Sequence, residues 1–241
     1  MHRDSNIRSI VKGISWRVFA TTVTIMIVYI FFGRLDLAIF AGIIETVAKI
    51  VLYWFHERIW IKVKWGRKKI KPFNIWFTGL PLSGKTTIAN EVFKDLSLLD
   101  IPIERLDSKD IRELIPNIGY SRSDRNRHIY RVAHLIKTLQ NNSISTVSSF
   151  VSPYEESREI VKKLIENNII IYIKADIETC KARDKKGKYK KAIRGELENF
   201  TGISDTYEKP IDPNLVIDTD KVSINSAKSI IVEYIKREYI K

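Results

Sequence analysis

The sequence has a single cysteine, Cys180, which excludes both an internal disulfide framework and a cysteine-rich zinc site. It has no internal repeat and no low-complexity tract, so neither a repeat array nor a biased tail is expected. Acidic residues are scarce at the front. Residues 1–72 carry 4 Asp/Glu against 13 Lys/Arg, a net +9 out of the formal +13 of the whole chain. The remaining 169 residues carry only +4. Because the excess flanks apolar runs, it reads as membrane topology and not as the footprint of nucleic acid, which is not an expected partner.

Two apolar runs fill this front segment. Residues 18–33, VFATTVTIMIVYIFFG, carry no charge, and with the preceding ISWR they reach about 20 residues, the length a bilayer requires. After the polar break Gly33-Arg34-Leu35-Asp36 comes LAIFAGIIETVAKIVLYWF, residues 37–55. Its Glu45 and Lys49 are four apart, on one helix face, and read as a structural ion pair in a helical hairpin. A signal peptide is excluded, because no small-residue cleavage site follows the first run and a second run does. A buried soluble hairpin is the competing reading. Basic residues precede the first run (Arg3, Arg8, Lys12, Arg17) and follow the second (Arg58 to Lys71), which puts both ends on the cytoplasmic side. The words SIVKGISWRVFATTVT and IETVAKIVLYWFHERIW resemble a small two-span bacterial membrane family of unknown function. The expected organisation is a transmembrane hairpin over 1–57, a basic juxtamembrane linker over 58–72, and a globular domain over 73–241. The partner of the first part is the lipid bilayer of the bacterial inner membrane.

The globular part opens on FTGLPLSGKTT. Gly79-Leu80-Pro81-Leu82-Ser83-Gly84-Lys85-Thr86 fits G-x-x-x-x-G-K-[ST], the phosphate-cradling loop. Its context is the required one: an apolar strand, NIWFT, before it and a helix carrying Ile88, Val92, Phe93 and Leu96 after it. Backbone amides and a helix N-terminus hold phosphate oxygens in such a loop. Lys85 neutralises the outer phosphates of a nucleotide and Thr86 ligates Mg²⁺. Further strands are expected over 101–107, 144–150, 169–176 and 214–220, with helices over 121–142 and 155–168. That alternation predicts a P-loop α/β domain, a parallel sheet with helices on both faces and its ligands at the carboxyl ends of the strands. Asp107 and Ser152 fall at such ends.

Several longer words narrow the reading. LDSKDIR, GYSRSDR, SSFVSPYEESR and above all ARDKKGKYKKAIRGELENFTGISDTYEKP, together with FTGLPLSGKTT, resemble the adenylylsulfate kinase family over residues 73–220. The resemblance implies ATP-dependent phosphorylation of the 3′-hydroxyl of adenylyl sulfate, with Mg²⁺, in a homodimer. It implies that Gly79 to Thr86 and Arg183 bind ATP. Arg112 and Arg125 then grip the anionic acceptor, Tyr120 and Phe200 sandwich its adenine, and Val151, His128 and the lid residue Lys190 complete its seat. Lys85, Asp107 and Ser152 are the implied catalytic residues, Ser152 matching a serine that the family phosphorylates. Taken singly, each of these residues also suits a solvated surface, an ordinary core or a turn; together, in order, they favour the site.

Three departures from the family pattern stand out. Lys109 stands where the family has the second aspartate of DGD, and Asp110 is one place along. His128 stands for an asparagine near the acceptor. Pro81 and Leu82 replace small residues of the loop, leaving its amides at 83–86 in place.

Overall fold

The computed structural model describes residues 6–30, 35–63, 70–99, 101–115 and 118–240. The chain divides into two units, residues 2–69 and 70–241.

The first unit is a pair of helices, α1 (Asn6–Ile30) and α2 (Leu35–Lys62). They run antiparallel, as their contacts show in sequence. Arg8, 1% exposed, donates to the carbonyls of Trp60 and Val63 at the end of α2. Lys12 pairs with Glu57 at 2.7 Å. Ser15 meets the His56 ring at 2.9 Å, Trp60 donates its indole N–H to the same nitrogen, and Trp16 sits edge-on to Tyr53. Among the described residues, the contacts at this end of the seam are largely polar. The outward face is apolar: Ile7, Ile10, Ile14, Val18, Phe19, Val47, Ile50 and Ile59 are each more than half exposed.

Among the described residues no helix is long and apolar enough to cross a membrane. The spanning expectation for 18–33 and 37–55 thus has no counterpart among them; residues 31–34 at the end of the first run and most side chains of 37–46 in the second lie outside the described residues. The Gly33-Arg34 break, the Glu45 side chain expected to pair with Lys49, and residues 64–69 of the basic linker lie outside the described residues. Residues 58–62, expected to be linker, are the last turns of α2.

The second unit is built on five parallel strands: β1 (Asn74–Thr78), β2 (Ile103–Asp107), β3 (Ser145–Ser149), β4 (Asn168–Lys174) and β5 (Leu215–Asp218). Their spatial order is β2-β3-β1-β4-β5, which puts β1 at the centre. Period-two alternation divides the core between the two faces. Ile75 and Phe77 of β1 join Ile171 and Ile173 of β4 on one face. Helix α3 (Lys85–Ser97) covers it with Ile88, Val92 and Leu96, and α9 (Ile224–Tyr239) with Ala227, Ile231 and Ile235. Trp76 and Ile170 point to the other face, under Ile129, Val132 and Ile136 of α5 (Arg122–Asn141) and Val161 of α6 (Glu155–Leu164). Burying an isoleucine or phenylalanine side chain contributes about 1.5–3 kcal/mol, so these two layers hold the sheet. Three short helices, α4 (Ser108–Leu114), α7 (Ile177–Ala182) and α8 (Lys188–Ile193), follow strand ends or sit over them. The strand ends meet at the carboxyl edge of the sheet, where the loops after β1, β2, β3 and β4 converge.

Candidate functional site

The loop after β1 is shaped by close approach. A Cβ at Gly79 would lie 2.3 Å from the Ile173 carbonyl of β4, so only glycine fits. Gly84, at φ 101, turns the chain into α3, and no side chain caps the first amides of that helix. Those amides are left for an anion. Lys85 folds back into the loop. Its Nζ donates to the carbonyls of Gly79 (3.0 Å) and Leu80 (2.6 Å), and burial pushes its pKa down to about 8.

Thr86, one residue on, donates its hydroxyl to Asp107 at 2.9 Å. Asp107 caps α4, accepting from the Lys109 amide at 2.9 Å, and it accepts from the Ser149 hydroxyl at 2.5 Å. Burial would raise its pKa, but the hydrogen bonds from Ser149, Lys109 and Thr86 outweigh that and hold it below the usual carboxylate range. Among the described residues no cluster of three metal-ligating side chains exists. A Thr hydroxyl backed by one carboxylate suits Mg²⁺, which takes few protein ligands and keeps phosphate oxygens and water. Position 109 supplies no second carboxylate. The Lys109 ammonium is exposed and pairs with Glu113 at 3.5 Å, while Asp110 is taken by Arg105 at 2.7 Å.

The 81–82 peptide divides two of the cavities beside the loop. Leu82 lines a cavity of about 410 Å³ together with Gly84 to Ile88, Arg183 and Thr219. Arg183 is fixed there by bonds to the hydroxyl and carbonyl of Thr219, at 3.0 and 2.9 Å. Pro81 lines the other cavity, about 560 Å³, which collects Asp107, Lys109, Arg112, Tyr120, Arg125, His128, Val151, Ser152, Lys188, Phe200 and Thr201. The guanidinium of Arg112 lies 4.4 Å over the Tyr120 ring and that of Arg125 lies 5.4 Å from it. Arg125 also donates to the Tyr120 and Asn199 carbonyls, at 3.0 and 2.6 Å. Two cations and two rings thus face one volume, the chemistry that holds a purine bearing negative charge. His128 is 3% exposed, and neither ring nitrogen has a hydrogen-bond partner. Burial, then Arg112 and Arg131, push its pKa down to about 4, so the ring is neutral.

Two of the expected site residues are placed differently from the others. Ser152 lines the acceptor cavity, but its hydroxyl is engaged below the surface. It accepts from the Trp76 indole at 3.0 Å and donates to Thr78 at 2.9 Å, and the residue is 2% exposed. The hydroxyl pins the turn after β3, which sets the site of Val151. Lys190 is exposed on α8 and does not line the cavity; Lys188, one half-turn earlier, does. Helical phase decides between them: Tyr189 and Ala192 face inward, which carries Lys190 outward. Ser149, Tyr189 and Thr201 were not singled out from the sequence. Ser149 ends a strand beside Asp107, a position that strand boundaries could have suggested. The other two became visible only through burial.

Comparison with known proteins follows the same division of the chain. Residues 71–218 match the family model described as adenylylsulphate kinase, and residues 10–61 match one described as a predicted membrane protein (DUF2061). The adenylyl-sulfate kinase of Halothermothrix orenii is 40% identical over 169 residues, 70% of this chain and 91% of that protein. That of Thermodesulfovibrio yellowstonii is 46% identical over 169 residues, 69% of this chain and 84% of that protein. A solved structure, the Mycobacterium tuberculosis APS kinase CysC in complex with AMPPNP and APS, superposes with a TM-score of 0.66 at 28% identity. It covers 70% of this chain and 99% of that one. A phosphate loop set between a nucleotide cavity and a cationic, aromatic one, in a chain so similar to these proteins, makes the protein a member of the adenylylsulfate kinase family.

Proposed function

We propose that the protein transfers the γ-phosphoryl group of ATP to the ribose 3′-hydroxyl of adenylyl sulfate, giving ADP and the 3′-phosphorylated product. The observation that carries the reading is the pair of cavities meeting at one loop, Leu82 in one and Pro81 in the other. ATP lies on the side of Arg183, its phosphates on the uncapped amides of α3 and on Lys85. The acceptor lies on the side of Arg112, Arg125, Tyr120 and Phe200, with His128 as a neutral hydrogen-bonding group. The Thr86 hydroxyl, with Asp107 behind it, would hold Mg²⁺, which would supply charge neutralisation at the phosphates. Phosphoryl transfer asks mainly for positioning and charge neutralisation, so a single carboxylate suffices for orientation. Asp107 orients Thr86 and receives the hydrogen bond of the attacking hydroxyl. Lys85 moves from the loop carbonyls to the transferring group.

We further infer that residues 1–69 attach this kinase to the cytoplasmic face of a bacterial membrane. Three observations support it: the match to a predicted membrane protein, the apolar outer face of α1 and α2, and the basic residues at both ends of the hairpin. The test compares the full chain with residues 70–241. Both are assayed with Mg-ATP and either adenylyl sulfate or other anionic nucleotides, and both are fractionated after expression. Turnover of adenylyl sulfate by both, with only the full chain in the membrane fraction, is expected. Turnover confined to another acceptor would overturn the first proposal, and equal solubility of the two the second. The ion-paired Lys109 and the partnerless His128 are the features that would favour another acceptor.

A further inference from the structure

The segment after α7 returns across the mouth of the site as α8. Its outer face is basic and exposed, with Lys190, Lys191 and Arg194. Two glycines bracket it, Gly187 at φ 68 and Gly195 at φ 76, and neither has any atom within 4 Å of the position a Cβ would take. The placement of α8 is therefore set by the side chains it buries, Tyr189 and Ala192, and by Asp184, whose carboxylate accepts from the Tyr189 amide at 2.6 Å.

Tyr189 has contacts in two directions. Its hydroxyl donates to the Pro81 carbonyl at 2.9 Å. Its ring meets that of Phe200 edge-on, centroids 4.9 Å apart. Pro81 and Phe200 both line the acceptor cavity. The Pro81 carbonyl belongs to the peptide that leads to Leu82, which lines the nucleotide cavity. Leu82 stands at φ 62, a left-handed conformation that a branched side chain adopts only when its surroundings hold it there. Proline fixes the preceding φ and the tyrosine hydroxyl fixes the orientation of the peptide between them.

We infer that Tyr189 is a positioning residue that couples the two substrate cavities, clamping the 81–82 peptide of the phosphate loop when α8 is seated and releasing it when α8 swings on its glycines. The ring contact with Phe200 links the same clamp to the wall against which the acceptor packs. The acceptor side of this inference rests on the reading of the function given above, whereas the clamp between α8 and the loop does not.

The experiment uses the full chain and the variants Tyr189→Phe and Tyr189→Leu. Tyr189→Phe keeps the ring on Phe200 and removes only the bond to Pro81. The first readout needs no acceptor: trypsin cleavage at the lysines of α8, with and without a non-hydrolysable ATP analogue. The analogue is expected to protect these lysines in the unaltered chain, and Tyr189→Phe to lose between about twofold and tenfold of that protection, as one hydrogen bond implies. Melting temperatures recorded alongside separate this from general unfolding, which would speed cleavage equally with and without the analogue. The second readout is the factor by which the analogue changes the affinity for adenylyl sulfate, expected to fall toward one in both variants. Equal protection in the unaltered chain and in Tyr189→Phe, or no protection in either, overturns the clamp. Intact protection loss with no binding of adenylyl sulfate would leave the clamp standing and remove the acceptor reading alone.

Discussion

His128 offers the sharpest test of the acceptor cavity. Its ring is 3% exposed, packs 5.8 Å from Phe150, and has no hydrogen-bond partner for either nitrogen. A buried polar group left without a partner costs about 1–3 kcal/mol, so a folded protein keeps one only where something else supplies the bond. Because the ring is neutral, it presents one donor and one acceptor to whatever fills the cavity. Replacing it with leucine, of comparable size, should make the ligand-free protein as stable or more so, and should weaken acceptor binding about tenfold, one good hydrogen bond's worth. A purely structural histidine would show the opposite pattern: lost stability and unchanged affinity. The pH dependence gives a second check with a definite sign. The ring titrates near 6.5 in the unfolded chain and at about 4 in the folded one. Between those values the unfolded chain binds the extra proton, so stability is full above about 6.5 and falls as the pH drops toward about 4. The loss attributable to this group is about 3 kcal/mol, and it should vanish in His128→Leu. Urea melts at intervals from pH 4 to pH 8 on both proteins, with acceptor titrations at neutral pH, measure all of this. Parallel pH profiles for the two proteins, together with equal acceptor affinities, would refute the reasoning.

Two other predictions follow from the loop. Lys85 has a pKa of about 8 with its ammonium buried among carbonyls. Polyphosphate raises it, so binding of Mg-ATP near pH 8.5 should take up a substantial fraction of a proton, and binding near pH 6.5 almost none from this group. Calorimetry in two buffers of different ionisation enthalpy reads the uptake directly, and Lys85→Met should abolish it. At position 109, Lys109→Asp removes an exposed pair with Glu113 and should change stability by no more than about 1 kcal/mol. Turnover should hold or rise, because a carboxylate is added beside Asp107; a collapse in acceptor affinity would give Lys109 its own role in the cavity.

Much of the architecture was legible in the chain because the relevant signals are local. A strand, a glycine loop and an amphipathic helix in that order place a phosphate site before any tertiary contact is known, and the alternation of apolar runs with helical periodicity gave the strands at 74–78, 103–107, 145–149, 168–174 and 215–218 within a few residues. The short helices α7 and α8 carry too few turns for a periodic signal, and α9 was not anticipated at all. The same limit applied inside the site. Arg112, Tyr120, Arg125, Val151 and Phe200 all line one cavity, but which lysine of KGKYKK turns toward it depends on helical phase.

What the sequence determined by itself is the set of chemical groups and the local conformations that present them: the uncapped helix start with its lysine, the parallel strands, and the basic ends of an apolar hairpin. These depend on neighbours a few residues apart. What only the tertiary structure decided is which groups are left without partners and which are consumed. The Ser152 hydroxyl is spent on Trp76 and Thr78, His128 is sealed in with both nitrogens free, and Tyr189 reaches across 108 residues to the phosphate loop. Burial and hydrogen-bond satisfaction are set by atoms far apart in the chain, and no local pattern encodes them.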